Sequence, residues 1–171
     1  VTEVSFGGAA IGGLYRACSR EAAMETLQGA WDAGLRYFDT APFYGFGLSE
    51  RRFGDFLRYK PRSSYVLSTK VGRLLRVPAH AAAEDDHYKS GRRERPVFDF
   101  SHDGVLRSVE ESLARLGLDR VDVLLVHDPD DHYDEAVAGA FRALQRLRAD
   151  GTVKAIGAGM NQSEMPVRFA E

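Results

Sequence analysis

The amino-acid sequence predicts an α/β protein made of about the first five β/α units of a (β/α)8 (TIM) barrel. Short β-branched and aromatic runs alternate with stretches in which apolar residues recur every three or four positions, as in parallel strands joined by helices. Five such strands fall within 171 residues, whereas eight units take about 250 residues. Polar residues also follow successive strands, where a barrel collects its active site. An open, doubly wound sheet of five strands is the alternative architecture.

The five predicted strands are apolar runs that begin soon after a helix ends. They cover residues 4–8, 35–39, 65–70, 121–127 and 153–157. The short connections are those that right-handed βαβ units require. We therefore treat the whole chain, residues 1–171, as a single barrel domain.

Two serines are predicted to begin the first two helices, because Ser19 and Ser49 each precede an amphipathic run. Gly34 is placed to end the first helix, and Pro61 follows the second. The predicted buried stripe of the first helix holds Ala23, Leu27, Ala30 and Trp31. The predicted buried face of the second holds Phe53, Phe56 and Leu57.

Two further helices are predicted from helical spacing of apolar residues, and glycine ends each of them, at Gly117 and Gly151. The third carries Leu106, Val109, Leu113 and Leu116. The fourth carries Val137, Ala140, Phe141, Leu144 and Leu147.

The connection at about residues 71–102 is far longer than the roughly 2–6 residues usual between such elements. One interpretation is a disordered insertion with a charged, solvated face. The other is a mobile loop on the substrate side, because the segment leaves the carboxyl end of a strand. Its apolar residues are Leu74, Leu75, Val77, Tyr88, Val97 and Phe98. We expect this loop to control substrate range.

Composition excludes several classes of function. The net charge is −2, without the basic excess that nucleic-acid binding needs, so no nucleic acid is expected as a partner. One cysteine, Cys18, cannot form an internal disulfide, which favours the cytoplasm. The sequence contains no run of 18 consecutive apolar residues, so no membrane-spanning helix is predicted. The oligomeric state stays open.

Four side chains that carry chemistry are expected on one rim of the barrel. Asp39, Lys70 and His127 end successive strands, and Tyr44 lies five residues after Asp39. Each alone has a structural explanation, as a cap, a surface aromatic, a snorkelling amine or a core histidine. Together they are harder to dismiss, because a buried amine and a buried imidazole need partners.

This set of groups suits proton transfer coupled to hydride transfer. Reduction of a carbonyl needs a proton donor at its oxygen, and the Lys70 ammonium would prepare Tyr44 for that role by stabilising its phenolate. Asp39 would hold Lys70 charged and in place. His127 would hydrogen-bond and orient the substrate oxygen. Tyr44 and His127 are thus the predicted substrate-binding residues.

A metal-dependent hydrolase is a weaker alternative. One strand end carries residues of metal-ligand types, His127, Asp128, Asp130, Asp131 and His132. Against it, Lys70 at the neighbouring strand end places a cation where a metal would sit. No metal is expected.

The motifs FDTAPFYGFGLSERRFGDFL, STK, LLVHDPD and AIGAGMN resemble those of the aldo-keto reductases, in the same order and over essentially the whole chain. The resemblance implies a catalytic tetrad of Asp39, Tyr44, Lys70 and His127, with Tyr44 as proton donor. It implies NAD(P)H as cofactor, with Asn161 at the nicotinamide carboxamide and Gly7 near the nicotinamide ribose. Asp39 would also contact the cofactor. Met160 stands where the family usually has serine.

A narrower branch of the family is suggested by FGGAAIGGLYR, STKVGRLL and VHDPDDH. It is similar to L-fucose and D-threo-aldose 1-dehydrogenases and pyridoxal 4-dehydrogenase, which implies a sugar hemiacetal or an aldehyde as the small-molecule substrate. A regulatory or inactive cofactor-binding homologue is the alternative. The family's pyrophosphate and adenosine sites lie in the last three β/α units, so we expect the 171-residue chain to lack them and to be inactive alone.

Overall fold

Five parallel strands form one sheet in the computed structural model of the protein, which describes residues 2–80 and 87–170. The sheet contains β1 (Phe6–Gly7), β2 (Tyr37–Asp39), β3 (Val66–Val71), β6 (Val123–His127) and β7 (Ala155–Gly159). Their spatial order is β1-β2-β3-β6-β7, with every neighbouring pair parallel. The order never reverses, as it would at the switch point of a doubly wound sheet, so the predicted barrel-type α/β fold is confirmed and the alternative architecture is wrong.

The sheet register aligns the carboxyl ends of the strands. Asp39 pairs with Ser68, Lys70 with Leu125, and His127 with Gly159. The first two strands are shorter than predicted, and β7 begins and ends two residues later than predicted. β7 consists mostly of alanine and glycine, whose small side chains do not mark the ends of a strand in the sequence. Its pairing with β6 fixes its position.

Helices lie between successive strands of the sheet and after its last strand, β7. They are α1 (Arg20–Asp32), α2 (Leu48–Leu57), α3 (His102–Leu116), α4 (Tyr133–Glu135), α5 (Arg142–Ala149) and α6 (Glu164–Ala170). Ser19 begins α1 as predicted, since its Oγ accepts a hydrogen bond from the Ala22 amide. Gly117 ends α3 in the left-handed conformation, also as predicted.

The prediction that Ser49 caps α2 is wrong. Gly47, at φ +84°, holds the cap position, and Ser49 lies inside the helix, fully buried. Its Oγ donates to the Gly8 carbonyl at 2.8 Å and contacts Thr40 Oγ1 at 2.9 Å. Ser49 therefore ties α2 to the ends of β1 and β2.

The fourth predicted helix contains a π-helical stretch, Ala136–Phe141, between α4 and α5. The buried positions in this region are Ala136, Ala140, Ala143 and Leu144, whereas Val137, predicted to be buried, is 36% exposed. The wider π turn changes which side chains face the sheet, so an α-helical period misplaces Val137.

The long connection after β3 contains a two-stranded antiparallel hairpin of β4 (Arg73–Arg76) and β5 (Arg95–Phe98). Leu74, Leu75 and Tyr88 are buried, and Tyr88 forms a bridge with Leu14. The interpretation as a disordered insertion is therefore wrong for the described part. Residues 81–86 of the predicted loop at 71–102 lie outside the described residues.

The main apolar core lies between the sheet and the helices. Its largest fully buried side chains include Phe38, Phe53, Leu67 and Leu124. The helices pack closely where a Cβ on Gly54 of α2 would come within 1.9 Å of the Leu116 carbonyl oxygen. Among the helices of residues 2–80 and 87–170, none has the length and apolarity to cross a membrane.

Candidate active site

Lys70 is the centre of the polar cluster at the carboxyl end of β3. Its side chain is buried, and Nζ donates to Asp39 Oδ2 at 2.7 Å, to Tyr44 Oη at 3.0 Å and to the Thr40 carbonyl at 3.0 Å. Three acceptors satisfy all three ammonium protons, so the amine is held in one place.

Asp39 is held through both carboxylate oxygens. Oδ2 accepts from Lys70, and Oδ1 accepts from Ser68 Oγ at 2.6 Å. Ser68 is fully buried and directly opposite Asp39 in the β2–β3 pairing. The parallel register therefore sets the carboxylate that positions Lys70.

Tyr44 reaches the cluster from the tight segment between β2 and α2. The backbone there touches the turn after β1, because a Cβ on Gly45 would lie 2.1 Å from the Gly12 carbonyl oxygen. Gly45 has φ +64°, which favours glycine. A Cβ on Gly12 would in turn come within 2.8 Å of the Tyr44 carbonyl carbon. Two glycines thus permit the close approach that places Tyr44 over Lys70.

His127 ends β6 and packs against the same tyrosine. Its ring meets Tyr44 edge-to-face at 5.8 Å and Phe43 at 5.9 Å between centroids. The side chain is buried, and Nδ1 has no hydrogen-bond partner among the described residues. Burial, and then the charges of Lys70 and Arg73, hold the pKa of His127 well below its ordinary value. The imidazole is therefore neutral at physiological pH.

Arg73 and Asp128 form an ion pair beside His127 that was not predicted from the sequence. Arg73 Nη2 donates to Asp128 Oδ2 at 2.6 Å, and this oxygen lies 3.6 Å from His127 Nε2. Burial raises the pKa of Asp128, and the Arg73 charge opposes that rise. The contact spans 55 positions and joins the hairpin to β6. The sequence offers only a weak signal for this pair: Arg73 lies near the start of the long connection, and Asp128 follows His127 in VHDPD.

A cavity of about 540 Å³ opens onto these side chains. All four tetrad residues line it, and so do the predicted cofactor residues Gly7 and Asn161. The remaining walls come from Ser5, Ala9, Leu14, Tyr37, Phe43, Tyr88, Leu125, Asp128, Gly159 and Met160. The structure thus brings every predicted site residue to one cavity.

The two predicted cofactor contacts, Gly7 and Asn161, are less constrained by their surroundings than the tetrad residues are. Asn161 is exposed at the edge of the cavity. A Cβ on Gly7 would meet no atom within 4 Å, whereas one on Gly8 would lie 2.4 Å from Phe53. Packing therefore requires glycine at Gly8, and the role of Gly7 at the cofactor stays a prediction.

The metal-site alternative finds no support in this geometry. Within residues 2–80 and 87–170, no three His, Cys, Asp or Glu side chains are grouped so as to hold a metal ion. Asp128 instead pairs with Arg73, and the Lys70 ammonium occupies the centre of the cluster.

The arrangement can exchange a proton with an oxygen in the cavity. A cation beside the Tyr44 hydroxyl favours the phenolate that remains after proton donation. A neutral imidazole has one N–H that can hydrogen-bond the same substrate oxygen. These are the requirements for interconverting a carbonyl and an alcohol.

Known proteins share this sequence and fold. The chain is 47% identical to a D-threo-aldose 1-dehydrogenase of Pseudomonas sp, over 98% of the chain and 53% of that protein. It is 42% identical to a pyridoxal 4-dehydrogenase of Microbacterium luteolum, over 95% of the chain and 53% of that protein. The chain spans about half the length of the curated relatives it matches.

Solved structures of dehydrogenases and aldo-keto reductases also match the fold of this chain. A glycerol dehydrogenase from Gluconobacter oxydans superposes with a TM-score of 0.72 at 30% identity, over 96% of the chain and 46% of that structure. An aldo-keto reductase from Klebsiella pneumoniae in complex with NADPH superposes with a TM-score of 0.67 at 25% identity, over 96% and 47%. The sequence model of the aldo/keto reductase family matches residues 3–165. With the tetrad assembled in a barrel-type sheet, these matches show that the chain belongs to the aldo/keto reductase family.

Proposed function

We propose that the whole protein containing this chain is an NAD(P)-dependent oxidoreductase. It would transfer a hydride between the nicotinamide cofactor and a sugar hemiacetal or an aldehyde. The observation that carries the proposal is the contact of one buried ammonium, Lys70, with both the Asp39 carboxylate and the Tyr44 hydroxyl. A cation in this position stabilises the phenolate, so the contact suits a tyrosine that gives up and regains a proton during turnover.

In reduction, Tyr44 donates its proton to the carbonyl oxygen as that oxygen gains negative charge. Lys70 stabilises the phenolate left behind, and Asp39 keeps the ammonium in place. His127, neutral and buried, donates a hydrogen bond to the same oxygen and fixes its position. In oxidation, Tyr44 accepts the proton instead. The nicotinamide, when bound, supplies or accepts the hydride.

The cavity offers groups suited to the nicotinamide end of the cofactor. The Asn161 amide can pair with a carboxamide, and the Asp39 carboxylate can accept from a ribose hydroxyl. Gly7 leaves open space on the facing wall. The proposal of NAD(P)H is supported by family membership and by the Klebsiella pneumoniae relative, which binds NADPH.

A sugar hemiacetal or aldehyde is the proposed substrate class. The names of two relatives, D-threo-aldose 1-dehydrogenase and pyridoxal 4-dehydrogenase, support it. The cavity combines polar groups with the aromatic side chains of Phe43 and Tyr88. The hairpin segment supplies Tyr88, and we propose that this segment controls substrate range, as its position on the cavity wall suggests.

The test is a turnover assay on the whole protein with NAD⁺ or NADP⁺ and a panel of aldoses and aldehydes. We expect formation of reduced cofactor that depends on the aldose. Cofactor binding without turnover of any aldose or aldehyde would contradict the proposal and favour an inactive or regulatory homologue. Activity that is abolished by a chelator would instead favour metal chemistry.

A further inference from the structure

The Arg73–Asp128 ion pair forms a polar wall of the cavity immediately beside the tetrad. Both side chains are largely buried, at 13% and 23% exposed. Asp128 follows His127 in the chain and lines the cavity with it. The Asp128 carboxylate beside His127 has no part in the proton transfer described above, so its presence in the cavity wall needs a separate explanation.

Asp128 is held in place by its backbone as well as by Arg73. Its N–H donates to the Gly159 carbonyl at 2.9 Å, which ties it to β7. Its φ is +42°, in the left-handed region that few residues other than glycine, asparagine and aspartate adopt. Backbone strain of this kind persists where the surrounding structure enforces it, and it concentrates at functional sites.

Arg73 is fixed in turn by two aromatic rings. Its guanidinium carbon lies 4.5 Å from the centroid of Phe43 and 4.8 Å from that of Phe98. Cation–π contacts and the ion pair together confine the guanidinium. Asp128 Oδ2 therefore stays engaged with Arg73.

The other carboxylate oxygen is available to a ligand. Within the described parts of the chain, no hydrogen bond reaches Asp128 Oδ1, and Asp128 remains partly exposed to the cavity. A carboxylate accepts several hydrogen bonds and donates none. Its natural ligand in a site already containing Arg73 is a neutral donor such as a hydroxyl. Phe43 and Tyr88 on adjoining walls suit the C–H face of a hydroxylated ring.

We propose that Asp128 is a specificity-determining residue, which accepts a hydrogen bond from a substrate hydroxyl close to the reacting carbon, and that Arg73 is its positioning residue. The inference rests on the proposed function and narrows it to hydroxylated carbonyl compounds. A plain aldehyde leaves the Asp128 acceptor unpaired in a partly buried site, and sites built to bind a hydroxyl reject analogues that lack it.

The test compares reduction of an aldopentose with reduction of butanal, each at the aldehyde carbon with NADH or NADPH, as kcat/KM in the whole protein. Asp128→Asn keeps the size and the tolerance for positive φ but removes the charge. We expect kcat/KM for the aldopentose to fall about 10-fold further than that for butanal, mainly through KM. An equal fall for the two substrates, or no fall for the aldopentose, would overturn the inference.

Two further variants separate this role from a general effect on folding or charge. Asp131→Asn makes the same charge change at an exposed position, and it should leave the ratio of the two kcat/KM values unchanged. Arg73→Met should lower that ratio, and Arg73→Lys, which keeps a cation, should restore part of it. A ratio that Arg73→Met leaves unchanged would refute the positioning role.

The two proposals fail in different ways. If the wild-type protein turns over no aldose or aldehyde of the panel, with either the oxidised or the reduced cofactor, the proposed function is wrong, and this inference falls with it. If both substrates are turned over and the ratio is the same in every variant, the proposed function stands and the inference alone is wrong.

Discussion

Acidification should destabilise this protein through His127. The imidazole is buried at the cavity wall, where Lys70 and Arg73 carry positive charge and the Asp128 carboxylate lies 3.6 Å from Nε2. Protonation would add a positive charge to this largely desolvated position. Burial is the largest cause of its lowered pKa, and the two cations add to it. The native state therefore resists a proton that the unfolded chain accepts readily.

The direction and size of the effect follow from this difference. The pKa of His127 in the native state lies well below the 6.5 of an unfolded histidine, so its contribution to stability is complete above that value and is lost as pH falls. Each pH unit below it costs about 1.4 kcal/mol while the native imidazole stays neutral. Between about pH 7 and about pH 5.5, we expect His127 to account for a loss of about 1 kcal/mol.

Urea unfolding of the wild type and of His127→Gln at these two pH values measures the effect. The amide cannot titrate, so the variant should lose about 1 kcal/mol less on acidification than the wild type does. Histidine side-chain NMR provides an independent check, in which the His127 imidazole should titrate at a lower pH than an ordinary histidine does. Identical losses in the two proteins, or a His127 resonance that titrates in the ordinary range, would refute this reasoning.

Three other outcomes are expected. Lys70→Met should lower kcat in the whole protein by about 10² or more, because the cation that favours the Tyr44 phenolate is lost; near-normal turnover would contradict this. Gly54→Ala should lower the free energy of unfolding by about 1–3 kcal/mol, because the new Cβ meets a carbonyl of α3. Gly29→Ala in α1, where the added Cβ meets open space, should raise the free energy of unfolding by about 0.5–1 kcal/mol. Equal effects of the two substitutions in denaturant titrations would be inconsistent with the packing. Replacing residues 77–94 by a short Gly/Ser linker removes the buried Tyr88 from the cavity wall, so it should lower Tm and change KM and substrate preference more than kcat; a change confined to kcat would contradict this.

The elements could be predicted where local chemistry determines them. Apolar runs marked all five strands of the sheet, Ser19 began α1, and Gly117 ended α3. In each case the determining residues lie within a few positions of the feature. The grouping of Asp39, Lys70 and His127 was predictable for a related reason, because parallel strands bring their carboxyl ends to one edge.

The errors have a common physical origin in contacts between distant segments. Ser49 has the chemistry of a cap but bonds to Gly8 and Thr40 in other elements. The hairpin pairs Arg73–Arg76 with Arg95–Phe98 across a long separation that periodicity cannot reveal. The Arg73–Asp128 pair was missed for the same reason, since its partners are 55 positions apart.

We propose that Tyr44, activated by Lys70, transfers the proton. Tyr44→Phe removes the hydroxyl that lies 3.0 Å from Lys70 Nζ and leaves the bonds from Lys70 to Asp39 and to the Thr40 carbonyl intact. The most direct measurement is the rate of hydride transfer in a single turnover of the whole protein, with cofactor binding measured in the same preparation. We expect a fall of about 10² or more in that rate, with cofactor affinity nearly unchanged. A rate close to that of the wild type would contradict it.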